Sequence, residues 1–376
     1  MTTLTVYFCG TGSTKFDNTN NTYWNGELVS TLASHELSHE FAEWILVDGP
    51  GTGNLQADEL FYKSEDYGMS GSLFGKGWEE NVRHALQIAK GTCSWERIEL
   101  TEQEYKRLKA AGVPIEDVSV EGSWFWRKYS YGSRTVNPQQ LQEGIIKMYR
   151  KDGIIPTQVN LVGWSRGAIS CHMLANMMLN DPELKDIPVN IFAVDPVPGP
   201  LNFQPERVTL GANVKEYVGF FARDERSKGF SCVIPLTHSS TRTHIYPMAG
   251  RHGTLVGNAS ANGVKGPSAL PEPGLIVRHF AERCLTRWGV KLDKMLQLST
   301  ADLQNHHDAI EQAEADYARM RKESYTYFTE QEQGERCVSH GSKVTAFSAV
   351  QDAALQPTAG LGASLAFEQS SYLDIN

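Results

Sequence analysis

The stretch 159–179 narrows the fold more than any other part of the chain. Val159-Asn160-Leu161-Val162 is β-rich, Gly163-Trp164-Ser165-Arg166-Gly167 follows at once, and 168–179 has the composition of a helix. A strand that turns directly into a helix through G-x-S-x-G needs little bulk two residues either side of the serine, because the backbones pack closely there. The turn lifts the serine hydroxyl above the carboxyl edge of a sheet, at the positive end of the helix. Ser165 is therefore the expected nucleophile. Gly163 and Gly167 are the small residues of the elbow, and the Arg166 amide is expected to face a developing oxyanion.

The rest of the chain alternates in the same rhythm. A β-rich run over 4–9 stops at Gly10-Thr11-Gly12, and apolar Leu28, Leu32, Leu37, Phe41 and Ala42 predict a helix within 28–43. Trp44-Ile45-Leu46-Val47 reads as a second strand, closed by the glycine-rich turn 48–53. Helices are predicted over 78–90, with Gly91 as the stop, and after Asn137-Pro138; strands are predicted near 189–194, 216–222 and 243–247. Strands alternating with helices predict an α/β fold, an α/β-hydrolase-like, mostly parallel sheet flanked by helices. The stretch 92–135, with a short charged helix over 101–111 and the run Trp124-Phe125-Trp126, breaks the rhythm and reads as an insertion. Past about 290 the character changes. Residues 299–333 are charged and helical, opened by Ser299 and Asp302 in capping-box spacing, and 339–376 is an Ala/Ser/Gly/Gln-rich tail. The expected division is a catalytic domain over 1–290 and a C-terminal helical extension with tail over 291–376.

A serine needs a base, usually a histidine held by a carboxylate, and in this fold the chain order is Ser, acid, His. Ile191-Phe192-Ala193-Val194-Asp195 is an apolar strand ending on a carboxylate, which puts Asp195 on the same sheet edge as Ser165. Asp224, in Arg223-Asp224-Glu225-Arg226, is the alternative acid, but neighbouring charges can satisfy it structurally. His252, in the flexible Gly250-Arg251-His252-Gly253 loop beyond the last strand, is the favoured base, with His244 and His238 behind it. His306 and His307 are expected to be solvated on the charged helix. The second oxyanion donor is expected from Thr11 or Gly12.

Net charge of −9, from 35 basic and 44 acidic residues, argues against a dedicated nucleic-acid surface. None of the 6 cysteines forms a CxxC pair, so reduced thiols are expected. His35 and His39 stand four apart on the predicted 28–43 helix, but no glutamate occupies the protease position and no third ligand is evident, so solvated histidines and no metal are expected. Trp124, Phe125 and Trp126 read as packing of the insertion, with an acyl pocket or membrane contact as the alternative. No basic or apolar leader precedes the first strand, and no apolar run approaches the roughly 20 residues of a membrane span. The chain is thus expected to be made in the cytoplasm without a signal peptide.

The series Gly10-Thr11-Gly12, the turn 48–53, Gly163-Trp164-Ser165-Arg166-Gly167-Ala168, Asp195-Pro196-Val197, Arg223-Asp224-Glu225-Arg226 and His252 resembles, in that order, a bacterial hydrolase family. It is the family that includes type VI secretion lipase effectors, and the resemblance covers about 4–256. Trp164 stands where that elbow usually has Phe, and Pro196 where it usually has Thr. The resemblance implies an α/β-hydrolase core with esterase or phospholipase A activity. Ser165, Asp195 and His252 match its triad, and no cofactor is implied. It also implies a lipid or small-ester substrate, transient membrane contact, export by a contact-dependent secretion machine, and an immunity protein as partner. A soluble ester or thioester hydrolase, and a silent hydrolase fold used for binding, are the alternatives.

Overall fold

The computed structural model describes residues 2–50, 78–92, 99–100, 119–121, 128–130, 138–151, 153–200, 202–227, 229–258, 270–322 and 334–346. In chain order the elements are β1 (Thr3–Phe8), α1 (Leu28–Ser34), β2 (Trp44–Val47), α2 (Trp78–Lys90), β3 (Glu99–Leu100), β4 (Ser119–Glu121) and β5 (Lys128–Ser130). Then come α3 (Pro138–Tyr149), β6 (Gln158–Trp164), α4 (Arg166–Asn180), β7 (Val189–Val194), α5 (Pro205–Val208), β8 (Val214–Ala222), β9 (Cys232–Ile234) and β10 (Arg242–Met248). The chain continues with α6 (Glu272–Arg287), α7 (Thr300–Gln312), α8 (Glu314–Met320), β11 (Cys337–His340) and β12 (Lys343–Ala346).

Six strands pair in the order β10-β8-β7-β6-β1-β2, and every pairing is parallel. This is the α/β architecture that the alternation predicts. Parallel strands are covered on both faces, so they carry continuous apolar runs rather than alternating ones. β7 is buried at every position, and β6 at all but its first. Side chains still alternate between the two faces. Leu4, Val6 and Phe8 join α2 and α4 in one core, while Tyr7 and Cys9 join α1, α6, α7 and α8 in the other. Among the polar side chains buried in the sheet, Asn160 Oδ1 accepts from Asn190 Nδ2 at 3.1 Å and from Gln158 Nε2 at 3.0 Å.

The order contains a reversal. The chain leaves β1 toward β2, then returns to the other side of β1 to lay down β6, β7, β8 and β10. In an open parallel sheet such a reversal opens a crevice at the carboxyl ends of the two central strands. Here those strands are β1, which runs into Gly10-Thr11-Gly12, and β6, which runs into Ser165.

Two expectations are corrected. The helix read over 28–43 ends at Ser34, because the following residues pair with the segment after α6: Leu37 N donates to Lys291 O at 2.9 Å, and Glu36 bridges Leu292. His35 and His39 therefore share no helix; His35 Nδ1 meets Asp293 and His39 Nδ1 meets Glu43, each at 2.9 Å. His307 is only 2% exposed and packs within the second core, because it falls on the buried face of α7 with Leu303 and Ile310. The Ser299–Asp302 capping box is present. Within 92–135, β3, β5 and β4 pair in a small antiparallel sheet of their own. The 101–111 helix, Trp124, Phe125, Trp126, Cys93 and most of the tail lie outside the described residues. Among the described residues, the other five cysteines form no disulfide.

Buried Arg150 fastens one flank of the sheet. Its Nε donates to Ala42 O at 2.5 Å, and its Nη1 to Ile88 O at 2.9 Å and Ile154 O at 2.8 Å, joining the start of β2, the end of α2 and the approach to β6. Charge-assisted bonds of this kind leave costly orphans when removed. Arg150→Met is expected to lower unfolding stability by about 3 kcal/mol, read from the urea midpoint.

Glu27 caps α1, its carboxylate accepting from Val29 N at 3.0 Å and Ser30 N at 2.8 Å. Burial raises its pKa to about 7 against the cap bonds that lower it, and burial raises Glu36 to about 7 as well. The folded state then holds these protons where the unfolded chain has released them. Their contribution is full below the unfolded value of 4.5 and is lost as pH rises through 7. The share of stability that Glu27 and Glu36 supply is expected to fall between pH 5 and pH 8, so Glu27→Gln should gain stability relative to wild type as pH rises across that range, compared in urea titrations at the two pH values.

Candidate active site

Register places the ends of the central strands level. Phe8 pairs with Gly163, Trp164 with Val194, Val194 with Phe220, and Ala222 with Met248. Ser165, Asp195, Arg223 and the loop after Met248 consequently leave the sheet along one edge.

Ser165 sits between β6 and α4 at φ 59° and ψ −126°, a conformation that L residues rarely adopt. Its amide donates to Val194 O at 3.0 Å and its carbonyl accepts from Val197 N at 3.3 Å, so the turn is held against the Asp195 loop. The flanking glycines are required by close approach. A Cβ on Gly163 would lie 2.4 Å from Gly167 O, and one on Gly167 would lie 2.2 Å from Phe8 O. Burial brings the Arg166 guanidinium, beside the elbow, down to about 10.

Asp195 follows β7 directly, also at positive φ (42°), and is fully buried. Its Oδ1 accepts from Ala222 N at 3.0 Å and from Arg336 Nη1 at 2.5 Å. Its Oδ2 accepts from Arg336 Nη2 at 2.8 Å and lies 2.6 Å from His252 Nδ1. Burial alone would raise this carboxyl; the Arg336 guanidinium and then His252 outweigh it and hold the pKa well below the usual carboxylate range.

His252 is 5% exposed, on the loop between β10 and the short 3-10 helix Thr254–Val256. Gly250 turns that loop at φ 100°. Asp224 Oδ2 accepts from Gly250 N at 2.7 Å, and buried Arg251 donates from Nε to Met320 O at 3.0 Å. The imidazole lies between aromatic rings, with Trp164 at 5.2 Å and Phe230 at 5.1 Å between centroids. With Nδ1 committed to Asp195, Nε2 is the nitrogen left to exchange a proton.

The competing residues have other occupations. Asp224 is fully buried between Arg223 (Nε at 3.2 Å) and Arg321 (Nε at 2.5 Å), and it braces the His252 loop rather than a histidine ring. His244 lies on β10 with Nε2 3.3 Å from Glu216, and His238 Nδ1 meets Ser240 Oγ at 2.8 Å on an exposed loop. Gly12 donates its amide to Pro50 O at 3.2 Å, and Thr11 is half-buried beside it. A Cβ on Gly10 would lie 2.2 Å from the Trp164 ring, so the turn after β1 and the elbow after β6 are in contact. Among the described residues, no group of three His, Cys, Asp or Glu side chains could hold a metal ion.

Arg336 carries no local signal in the sequence. It lies 141 residues from Asp195, just before β11, where composition gives no reason to expect a contact with the sheet edge.

No protein-family model matches this chain, and no curated protein matches it. Among solved structures, it is similar to an uncharacterized protein from Pseudomonas aeruginosa, at 14% identity and a TM-score of 0.49, over 85% of this chain and 52% of that one. It is also similar to the Tle1 effector bound to the VgrG spike of the type 6 secretion system, at 14% identity and a TM-score of 0.30, over 68% of this chain and 51% of that one. The chain spans about half the length of both solved structures.

Proposed function

We propose that this protein is a serine hydrolase that cleaves acyl esters, with Ser165 as nucleophile, His252 as general base and acid, and Asp195 as the carboxylate that orients the imidazole. The observation that carries the reading is the buried His252–Asp195 pair at 2.6 Å, on the sheet edge where the Ser165 turn ends β6.

In this reading Ser165 Oγ attacks the ester carbonyl carbon while its proton passes to His252 Nε2. The amides of Thr11 and Arg166 donate to the oxyanion, since the Gly12 amide is engaged with Pro50. Collapse of the tetrahedral intermediate breaks the ester C–O bond, and His252 returns its proton to the leaving alcohol. Water then attacks the acyl-serine, losing a proton to Nε2, and the acid departs as Ser165 regains its hydrogen. Asp195 remains ionised throughout and stabilises the imidazolium.

Lipid is the proposed substrate class, in a phospholipase A-type reaction. It rests on the sequence resemblance of the Gly-Trp-Ser-Arg-Gly-Ala elbow and the early Gly-Thr-Gly turn to lipase effectors. Transient membrane contact, passage through a contact-dependent secretion machine and an immunity protein are proposed on the same ground.

Purified protein is expected to be labelled by a fluorophosphonate at Ser165. It should release fatty acid from phospholipid vesicles faster than it cleaves short-chain soluble esters. Ser165→Ala should remove labelling, and Ser165→Ala and His252→Ala should each lower hydrolysis at least about 10³-fold with melting temperature preserved. Full activity in Ser165→Ala would overturn the serine mechanism. Faster cleavage of soluble esters than of vesicles would replace lipid by a small ester, and an unlabelled, inactive wild type would leave a binding role.

A further inference from the structure

The C-terminal segment reaches the site through one side chain. Arg226 Nε donates to Gly334 O at 2.9 Å, and β11 pairs in parallel with β9, matching Val338 to Cys232 and His340 to Ile234. β9 is itself tied beside the acid, with Val233 N donating to Pro196 O at 2.8 Å. Between these two anchors Arg336, 1% exposed, points its guanidinium at the sheet edge.

We propose that Arg336 is a positioning residue for the Asp195–His252 pair: it fixes the carboxylate's orientation and neutralises its charge, so that the imidazole stays ready to accept a proton. This deepens the reading of Asp195 and His252 as acid and base, and rests on it.

Geometry supports the positioning half. The guanidinium makes four bonds in its plane, to both Asp195 oxygens, to Ala222 O at 2.6 Å and to Phe230 O at 2.9 Å. The carboxylate is thus locked relative to β8, with Oδ2 aimed at His252. Phe230, whose carbonyl is held by the same fork, packs its ring nearly perpendicular to the imidazole, at 85°. A planar fork can bridge two oxygens and two carbonyls together; an ammonium cannot.

Charge supports the other half. A buried carboxylate beside an imidazole draws a proton onto the pair, because the imidazolium form is stabilised. With Arg336 bound, the carboxylate is part of a neutral ion pair and that pull weakens. Other titratable groups face this edge as well: Cys232 on β9 and Glu225 act on Arg336 electrostatically, and Tyr217 on β8 feels both Asp195 and Cys232. Asp224 is paired with Arg223 and Arg321, and Arg226 bonds backbone carbonyls. Glu225 Oε1 accepts from Ser227 N at 2.6 Å, and its Oε2 faces the His252 backbone amide at 3.4 Å. Arg336 bonds the acid directly, through two of its nitrogens.

Removing the guanidinium should make the Asp195–His252 pair bind its proton more tightly, whichever of the two carries it. Arg336→Gln is expected to move the acid limb of the kcat/KM profile upward by about one pH unit or more, and to slow fluorophosphonate labelling at pH 7. The ¹⁵N signals of the His252 ring, followed by NMR, should shift their titration by the same amount; this readout works in a Ser165→Ala background and needs no turnover. Arg336→Lys, which keeps the charge but not the fork, should keep the titration near that of the wild type while kcat falls about 10- to 100-fold. If Arg336→Gln does not fold, Arg336→Lys decides the positioning half: unchanged kcat, or an unchanged labelling rate, overturns it. A lowered melting temperature with an unmoved titration would make Arg336 a fastener of the tail and overturn the charge half. Failure of wild type to label at Ser165 is a different result, and removes the serine reading while the NMR titration still tests Arg336.

Discussion

A carboxylate withdrawn from water costs several kcal/mol unless donors replace its hydration shell, and the donors must arrive from somewhere. Asp195 collects four donors from three parts of the chain: the Ala222 amide at the end of β8, the imidazole on the loop after β10, and two nitrogens of Arg336 from beyond α8. Much of the carboxyl edge is arranged around that requirement. The loop carrying His252 is braced by Asp224 below it, and Asp224 in turn draws Arg223 and Arg321. Behind the first buried negative charge thus stands a second layer of ion pairs, which braces the loop that carries His252.

The same edge stores backbone strain. Ser165 and Asp195 both leave their strands at positive φ, which costs on the order of 1–3 kcal/mol each for residues with a Cβ. Neither is held alone. Ser165 N bonds Val194 O, Val197 N bonds Ser165 O, and Asp195 N bonds Phe220 O at 2.7 Å, so each strained turn is closed by the neighbouring strand. The parallel register that aligns the strand ends also supplies these bonds.

The sequence was informative where a short window contains the physics. Strand-and-helix alternation is written in local apolar runs, so the parallel sheet was legible. Asp195 was legible as the polar end of an apolar strand, and the His252 loop from its glycines. The helix over 28–43 failed because Leu37, Phe41 and Ala42 fit a helical face, yet Glu36 and Leu37 find backbone partners at Lys291 and Leu292. Tyr7 donates to Glu36 at 2.6 Å, a contact no local pattern encodes. Arg336 has no local signal for the same reason at longer range: nothing near it in sequence encodes the pairing of β11 with β9 that carries it to Asp195. His307 reads as solvated because the helix around it is mostly polar, yet it shares a narrow buried stripe with Leu303 and Ile310.

Trp164 brings these threads to one point. Its indole lies against Gly10 on the turn after β1, where any Cβ would collide with the ring, and it also neighbours the His252 imidazole at 5.2 Å. A smaller residue there would leave a gap between the first strand's turn and the base. A side chain on Gly10 would push the indole toward the imidazole. The glycine after β1 is therefore set by packing as well as by any need for backbone to approach a substrate. The spacing of Gly10, Trp164 and His252 across three separate segments follows from a single stack of groups, in which each fixes the place of the next.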